Sequence, residues 1–142
     1  MKKEENYPID VVITWVDSND LNWQKEREKY LDPSFSKNKH VGAMNRYQDQ
    51  GTLQYIFRGI EKHMPWVRKV FLVTCGHYPV WLNLNYDKLV LVKHEDFIPK
   101  EYLPTFNSNS ILINLHRIKS LSEHFIYFND DMYVINFCKY CN

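Results

Sequence analysis

An α/β fold with a mostly parallel sheet flanked by helices is what this 142-residue sequence predicts. Three observations carry that reading. Short β-branched or apolar runs alternate with stretches of helical period. Glycine is scarce, four in all, and no Gly-rich phosphate loop occurs, which argues against a P-loop or a dinucleotide fingerprint. The run Phe125-Ile126-Tyr127-Phe128 leads through Asn129 into two adjacent carboxylates, Asp130 and Asp131. As a buried strand it would place that acidic pair over the crevice where open α/β sheets bind ligands.

The elements follow in order. Ile9 to Val16 is β-branched and predicts the first strand, ended by the polar turn Asp17-Ser18-Asn19-Asp20. Asp20 suits a cap for a helix from Leu21 to about Tyr30, in which Lys25, Arg27 and Lys29 alternate with acids. Pro33 and the polar stretch 34–40 read as loop. Leu53, Ile56, Phe57 and Ile60 fall at i, i+3, i+4 and i+7, an amphipathic helix with Asp49 as a plausible cap and Met64-Pro65 as its close. Val67 to Thr74 is the second strand, with Cys75-Gly76-His77 as its turn. Leu89 to Val92 is a short third strand, ending at Lys93-His94-Glu95-Asp96, which could face a ligand or simply be solvated.

The stretch 99–104 reads as loop, and Thr105 to Ser110 is rich in capping residues. A further helix should carry Ile111, Leu115 and Ile118 on its apolar face, widened by Leu112 and Leu121, with His116 and Arg117 in its last turns. Those two cations suit the negative end of a helix dipole, and the helix start suits an anion. The fourth strand is the one that ends in the acidic pair. The tail from Tyr133 begins like a strand and stops abruptly, and Cys138-x-x-Cys141 has metal spacing without a second pair.

Composition bounds the function. Apolar residues make up 44% and charged residues 25%, ordinary for one soluble domain. A net charge of +1 gives no global field for nucleic acid or an anionic membrane surface. No apolar run approaches a membrane span, and the polar start at residues 1–6 does not resemble a signal peptide. Three cysteines make no disulfide framework, so a reducing compartment is expected. Adjacent carboxylates repel, and a divalent cation carrying a phosphate or diphosphate is the usual reason to build such a pair. An ordinary strand end with an Asn-Asp turn is the other reading.

Taken together, the motifs resemble a known family. Ile9 to Asp20 resembles the first conserved region of the Stealth proteins, hexose-phosphate transferases of bacterial capsule synthesis related to the lysosomal-enzyme N-acetylglucosamine-1-phosphotransferase. Arg46-Tyr47-Gln48-Asp49-Gln50-Gly51-Thr52-Leu53, Pro65 to Val70, Pro79 to Asn83, His94-Glu95-Asp96, Leu103 to Ser108, Leu115 to Ile118 and Phe125 to Met132 resemble the second. The chain reads as one domain, 1–142, with the first region at about 8–20 and the second at about 44–133. It departs from the family pattern at Cys75-Gly76-His77-Tyr78, where a glycine–glutamine-type turn is usual, and at Leu112, where a Glu is common. The third and fourth regions are missing, which reads as an N-terminal fragment, incomplete as a fold and prone to self-association through exposed surface.

The resemblance implies a glycosyltransferase-A-like, Rossmann-like fold that binds a nucleotide sugar, with UDP-hexose as the typical donor. It implies transfer of a sugar phosphate to a saccharide hydroxyl, with a nucleoside monophosphate leaving. Mg²⁺ or Mn²⁺ held by Asp130 and Asp131 would shield the diphosphate. Asp17 would contact the nucleoside or orient the site, Arg46, Arg58 and Arg117 would pair with phosphate oxygens, and Asn107 and Ser108 would donate hydrogen bonds. His116 or His94 would serve as base. The expected location is the cytoplasm, at the inner face of the bacterial membrane. A glycosyltransferase releasing UDP and a non-catalytic remnant are the alternatives.

Overall fold

The computed structural model of the protein describes residues 7–31, 47 and 51–139. Four strands form one all-parallel sheet in the order β3-β2-β1-β4: β1 Ile9–Thr14, β2 Val70–Thr74, β3 Leu89–Lys93 and β4 His124–Phe128. Helix α1 spans Leu21–Lys29, α2 Leu53–His63 and α3 Ser108–Leu112. The α/β class with a parallel sheet flanked by helices, expected from the alternation, is therefore the observed one, and it is consistent with the Rossmann-like fold that the resemblance implies.

The middles of β1 (Val11, Val12, Ile13) and β2 (Val70, Phe71, Leu72, Val73) are continuously apolar because both of their faces are covered. Residues alternate between the faces. Val11 and Ile13 of β1, with Val70 and Leu72 of β2, pack under Leu53, Ile56 and Ile60 of α2. Val12, Phe71, Val73 and Val92 pack on the other face against Phe97, Ile98, Ile111, Leu115 and Ile118, which lie on the way from β3 to β4. Burial of Leu or Ile side chains of this kind stabilises by roughly 1.5–3 kcal/mol each.

The amino edge of the sheet is closed by one ion pair. Asp10 is fully buried. Its Oδ1 accepts from Arg68 Nε at 2.9 Å and from the Lys69 N–H at 3.1 Å. Its Oδ2 accepts from Arg68 Nη2 at 2.5 Å and from the Ser122 N–H at 2.7 Å. Asp10 thus ties the starts of β1, β2 and β4 together.

Several expectations are corrected. The last helix is broken: α3 stops at Leu112, and Leu115–Arg117 forms a separate 3-10 turn. Ser108, Asn109 and Ser110 are weak helix formers, and the Asn114 side-chain amide donates to the Ser110 carbonyl at 2.8 Å, competing with the helical ladder. Ile111, Leu115 and Ile118 still reach the core, whereas Leu112 is exposed. His116 and Arg117 therefore do not sit in the last turns of an α-helix. β4 is not a fully buried strand; it ends at Phe128 and forms an edge of the described sheet, with Phe125 exposed. β2 begins at Val70 rather than Val67: the Val67 N–H is turned back onto the Met64 carbonyl at 3.1 Å, while Arg68 and Lys69 lead in with bonds to Ile9 and Val11 of β1.

The tail is no strand either. Its Val134 carbonyl lies against Gly59 of α2, where an added Cβ would come within 2.7 Å of the oxygen. The Cys138 N–H donates to the His63 carbonyl at 3.0 Å, and Trp66 Nε1 donates to the Cys138 carbonyl at 2.6 Å. The segment runs alongside α2 and is hydrogen-bonded to its last turn. Arg46, the cap expected at Asp49, the loop 34–40 and Cys141 lie outside the described residues.

Candidate active site at the carboxyl edge of the sheet

Because every strand is parallel, all four carboxyl ends meet on one edge. β1 delivers Asp17, β2 delivers Cys75-Gly76-His77, β3 delivers His94, and β4 delivers Asp130 and Asp131. From β1 the chain winds outward through α2 to β2 and β3. It then returns across the opposite face to β4. β1 and β4 are thus neighbours at the point where winding reverses, the position at which open α/β sheets bind ligands. Asp17 and the Asp130-Asp131 turn flank that switch point.

The acidic turn is tied to α2. The Thr52 hydroxyl, at the amino end of α2, donates to the Asp130 carbonyl at 2.7 Å. The Met132 N–H closes the turn on the Asn129 carbonyl at 3.2 Å. Asp130 is half-buried and Asp131 exposed. Among the described residues no group of three or more His, Cys, Asp or Glu forms a ready metal cage. Two oxygen-only side chains nevertheless fit Mg²⁺, which keeps several waters and is commonly held by one or two carboxylates plus substrate phosphates.

The β1 loop is hydrogen-bonded along its length. The Trp15 N–H completes the ladder to the Val73 carbonyl at 3.0 Å. The Asp17 N–H then donates to His77 Nε2 at 2.8 Å. Asp17 Oδ1 accepts the Asn19 N–H at 2.9 Å, an Asx turn. Asp20 caps α1 as its sequence position predicts, accepting from the Asn22 and Trp23 N–H groups at 2.8 and 3.2 Å. The Trp23 N–H above all, then the Asn22 N–H and His77, hold the Asp20 carboxyl below the usual carboxylate range, against the opposing effect of burial. His77 Nδ1 lies 3.2 Å from Asp20 Oδ2. With Nε2 accepting from a backbone amide, this network assigns the imidazole proton to Nδ1.

A cleft of about 570 Å³ opens between α1 and the β2 turn, lined by Asp20, Lys25, Lys29, Gly76 and His77 among others. Gly76, at φ +124, supplies the left-handed backbone this turn needs. His94 is half-buried at the end of β3, and burial, helped by the charge of His77, lowers its pKa to about 4. It is neutral at pH 7 and a weak base.

Asn107 caps α3, accepting the Asn109 N–H at 2.9 Å, and Ser108 follows it; both are exposed. Their neighbour Phe106 packs on Trp23 and Tyr30 of the α1 segment, with ring centroids 5.7 and 6.0 Å away, so this stretch also belongs to the carboxyl edge. His116 and Arg117 are exposed on the 3-10 turn, a few residues before Ser120 and Ser122 join the Arg68–Asp10 pair at the amino edge. They are not gathered with the strand ends. Arg58 lies on the exposed face of α2, its guanidinium 5.7 Å from the Tyr55 ring centroid.

Sequence reasoning missed three features here. Arg27 is buried, with its guanidinium 4.7 Å from the Tyr47 ring centroid, rather than alternating at the surface. The Thr14 hydroxyl and the Tyr127 phenol, 2.8 Å apart, join β1 to β4 just below the crevice. His77 looked like a turn residue, and only its position after a buried strand signalled more.

Comparison with known proteins now bears on this edge. The family model described as Stealth protein CR1, conserved region 1, matches residues 7–33, and that described as Stealth protein CR2, conserved region 2, matches residues 46–140. The capsular polysaccharide phosphotransferase CpsJ of Streptococcus thermophilus is 48% identical over 132 residues, which is 93% of this chain and 56% of that protein. A capsular polysaccharide phosphotransferase WcwK of Streptococcus pneumoniae is 51% identical over 92% of this chain and 39% of its own length. The receptor polysaccharide phosphotransferase WefC of Streptococcus oralis is 49% identical over 89% of this chain and 38% of its own. The chain thus spans between about two fifths and a little over half of the length of these curated relatives. With both conserved regions matched in order over most of its length, the chain belongs to the Stealth protein family.

Proposed function

We propose that this chain forms the donor-binding part of a sugar-phosphate transferase of capsular or related polysaccharide synthesis, acting on a nucleotide sugar of the UDP-hexose type. The observation that carries the reading is the placement of Asp130 and Asp131 beside the β1 loop at the switch point of the sheet. The three relatives, all polysaccharide phosphotransferases, supply the reaction class. The acceptor hydroxyl oxygen bonds to the β-phosphorus, the bond from that phosphorus to the bridging oxygen breaks, and the nucleoside monophosphate leaves with the electron pair. The hydroxyl proton passes to a base.

In this reading Asp130 and Asp131 hold Mg²⁺ or Mn²⁺, which supplies charge shielding for the diphosphate. Asp17 orients the nucleoside side of the crevice. Asn107 and Ser108 offer neutral donors from the segment packed on α1. Arg46 pairs with phosphate oxygens, whereas Arg117 and His116, on the 3-10 turn away from the strand ends, take no part at the crevice. A cytoplasmic location at the inner membrane face belongs to the same proposal; no helix among the described residues is long and apolar enough to cross a membrane.

The test is thermal stability with a panel of nucleotide sugars, each with and without Mg²⁺ or Mn²⁺. A ligand at about a hundredfold over its dissociation constant adds roughly 2.7 kcal/mol. The expected result is a metal-dependent rise with one donor that disappears in the Asp130→Asn/Asp131→Asn double variant. An unchanged rise in that variant refutes the metal assignment. Absence of any rise in the cooperatively folded wild type favours a non-catalytic remnant, to which Leu112 already points. Turnover that releases UDP instead of UMP would identify a glycosyltransferase.

A further inference from the structure

We propose that His77 is a positioning residue for the transfer reaction. Held on Asp20 as the neutral Nδ1–H imidazole, it accepts the Asp17 amide hydrogen and so fixes the β1 loop at the rim of the crevice. The inference rests on the sugar-phosphate reading above.

β1 and β2 are ladder-paired through Trp15 N–H and the Val73 carbonyl, and past that point the two chains separate. The next inward-facing amide, that of Asp17, has no strand carbonyl to meet. An amide at this depth requires a partner. His77 Nε2 supplies it at 2.8 Å, across 60 residues of sequence. The ring is itself fixed from three sides. Asp20 Oδ2 meets Nδ1 at 3.2 Å, the Trp15 indole lies edge-to-face at 5.3 Å, and Cys75 Sγ is 3.4 Å from Nδ1. One imidazole therefore joins the β1 loop, the first turn of α1 and the β2 turn.

Movement of the Asp17 amide would move more than one bond. The Asp17 carboxylate closes the turn on Asn19, and its carbonyl accepts the Asp20 N–H at 3.2 Å. Both the acid at the crevice and the cap of α1 thus depend on the clamp. A glutamine could reproduce it, its carbonyl accepting from Asp17 and its amide donating to Asp20. Alanine could do neither. The groups around the ring are Asp17 and Asp20 from the β1 loop, Lys25, Glu26 and Lys29 from α1, Cys75 on its own turn and His94 at the end of β3. Asp17, Asp20 and Glu26 outnumber Lys25 and Lys29 by one, so the local field is weakly negative.

The test uses the ¹⁵N-labelled chain, with Mg²⁺–UDP as the probe, and compares wild type, His77→Gln and His77→Ala at neutral pH. Imidazole ¹⁵N shifts report the tautomer, the Asp17 amide signal reports the clamp, and calorimetry reports affinity. In the wild type we expect the Nδ1–H tautomer and a hydrogen-bonded Asp17 amide. His77→Gln should keep affinity within about twofold, whereas His77→Ala should lose about tenfold and shift the Asp17 amide. An Nε2–H tautomer overturns the proposal. So does an Asp17 amide that is indifferent to His77→Ala, or a His77→Gln variant that loses about tenfold in affinity; the tautomer and the glutamine result stand even if the alanine variant fails to fold. A wild type that binds no UDP overturns the functional reading and the role of His77 in transfer. The tautomer and amide signals would still report separately whether the clamp exists.

Discussion

Replacing Asp10 by Asn changes the chemistry of one buried atom and almost none of the volume. The carboxylate accepts four hydrogen bonds, two at each oxygen. Whichever way the new amide is turned, its NH₂ faces two of those donors. At the Oδ1 position it opposes Arg68 Nε and the Lys69 N–H; at Oδ2 it opposes Arg68 Nη2 and the Ser122 N–H. Two bonds are lost, and the surviving pair loses its charge assistance. Bonds to charged groups contribute about 1.5–3 kcal/mol each, and breaking a buried ion pair costs about 3–5 kcal/mol. The Arg68 side chain is 41% exposed and regains water, so the lower part of that range applies. We expect a loss of about 2–3 kcal/mol, read as a fall in the urea midpoint at constant slope. For a chain of this size that is roughly 5–12 °C in Tm. A change below about 0.5 kcal/mol, the level of an unremarkable surface substitution, would refute the claim that Asp10 holds three strand starts together.

Three further outcomes are expected. Gly59→Ala should destabilise by about 1–2 kcal/mol and speed proteolysis of the tail, because the added Cβ meets the Val134 carbonyl; a gain of about 1 kcal/mol, as in an open helix, would show that the tail does not pack there. His94 should make stability fall with acid. Its native pKa, lowered by burial to about 4, lies under the ordinary value near 6.5, so the unfolded chain takes the proton first and the loss accumulates between those pH values. His94→Gln should flatten that part of the stability profile, and an unaltered profile would contradict the burial. Self-association is expected through exposed apolar side chains such as Val80, Trp81, Ile135 and Phe137, giving a sedimentation coefficient that rises with concentration. A single monomeric species across micromolar concentrations would count against it.

The parts of the molecule legible in the sequence were those governed by local periodicity. β1, β2 and α2 are strongly patterned, and Asp20 caps α1 because an N-cap is a short-range device. Edge and centre strands were harder to separate. The aromatic run of β4 looks as apolar as β1, yet nothing in it says that one flank lacks a neighbour in the described sheet. α3 had an apolar stripe of helical period, but a 3-10 turn can place Leu115 and Ile118 against the same core while Asn114 interrupts the helix. Arg27 and His77 were illegible for another reason. Their partners, Tyr47 and Asp17, are brought to them by tertiary folding, and no spacing rule links such positions.

The strand order also dictates a schedule. β2 and β3 meet across a short connection, since Lys69 Nζ reaches the Asp87 carbonyl 18 residues away. β1 joins β2 across 59 residues, the Asp10–Lys69 separation. β4 joins β1 across 113, the Thr14–Tyr127 separation. Closing a loop of 113 residues rather than 18 costs roughly 1.6 kcal/mol more in chain entropy, before any packing is gained. Long-range parallel pairing of this kind forms slowly. During synthesis the first three strands emerge, and can assemble, while β4 is still to come. Among the described strand ends the Asp130-Asp131 turn is therefore the last to be installed, and a nascent chain passes through a stage with a folded core and no acidic pair in place.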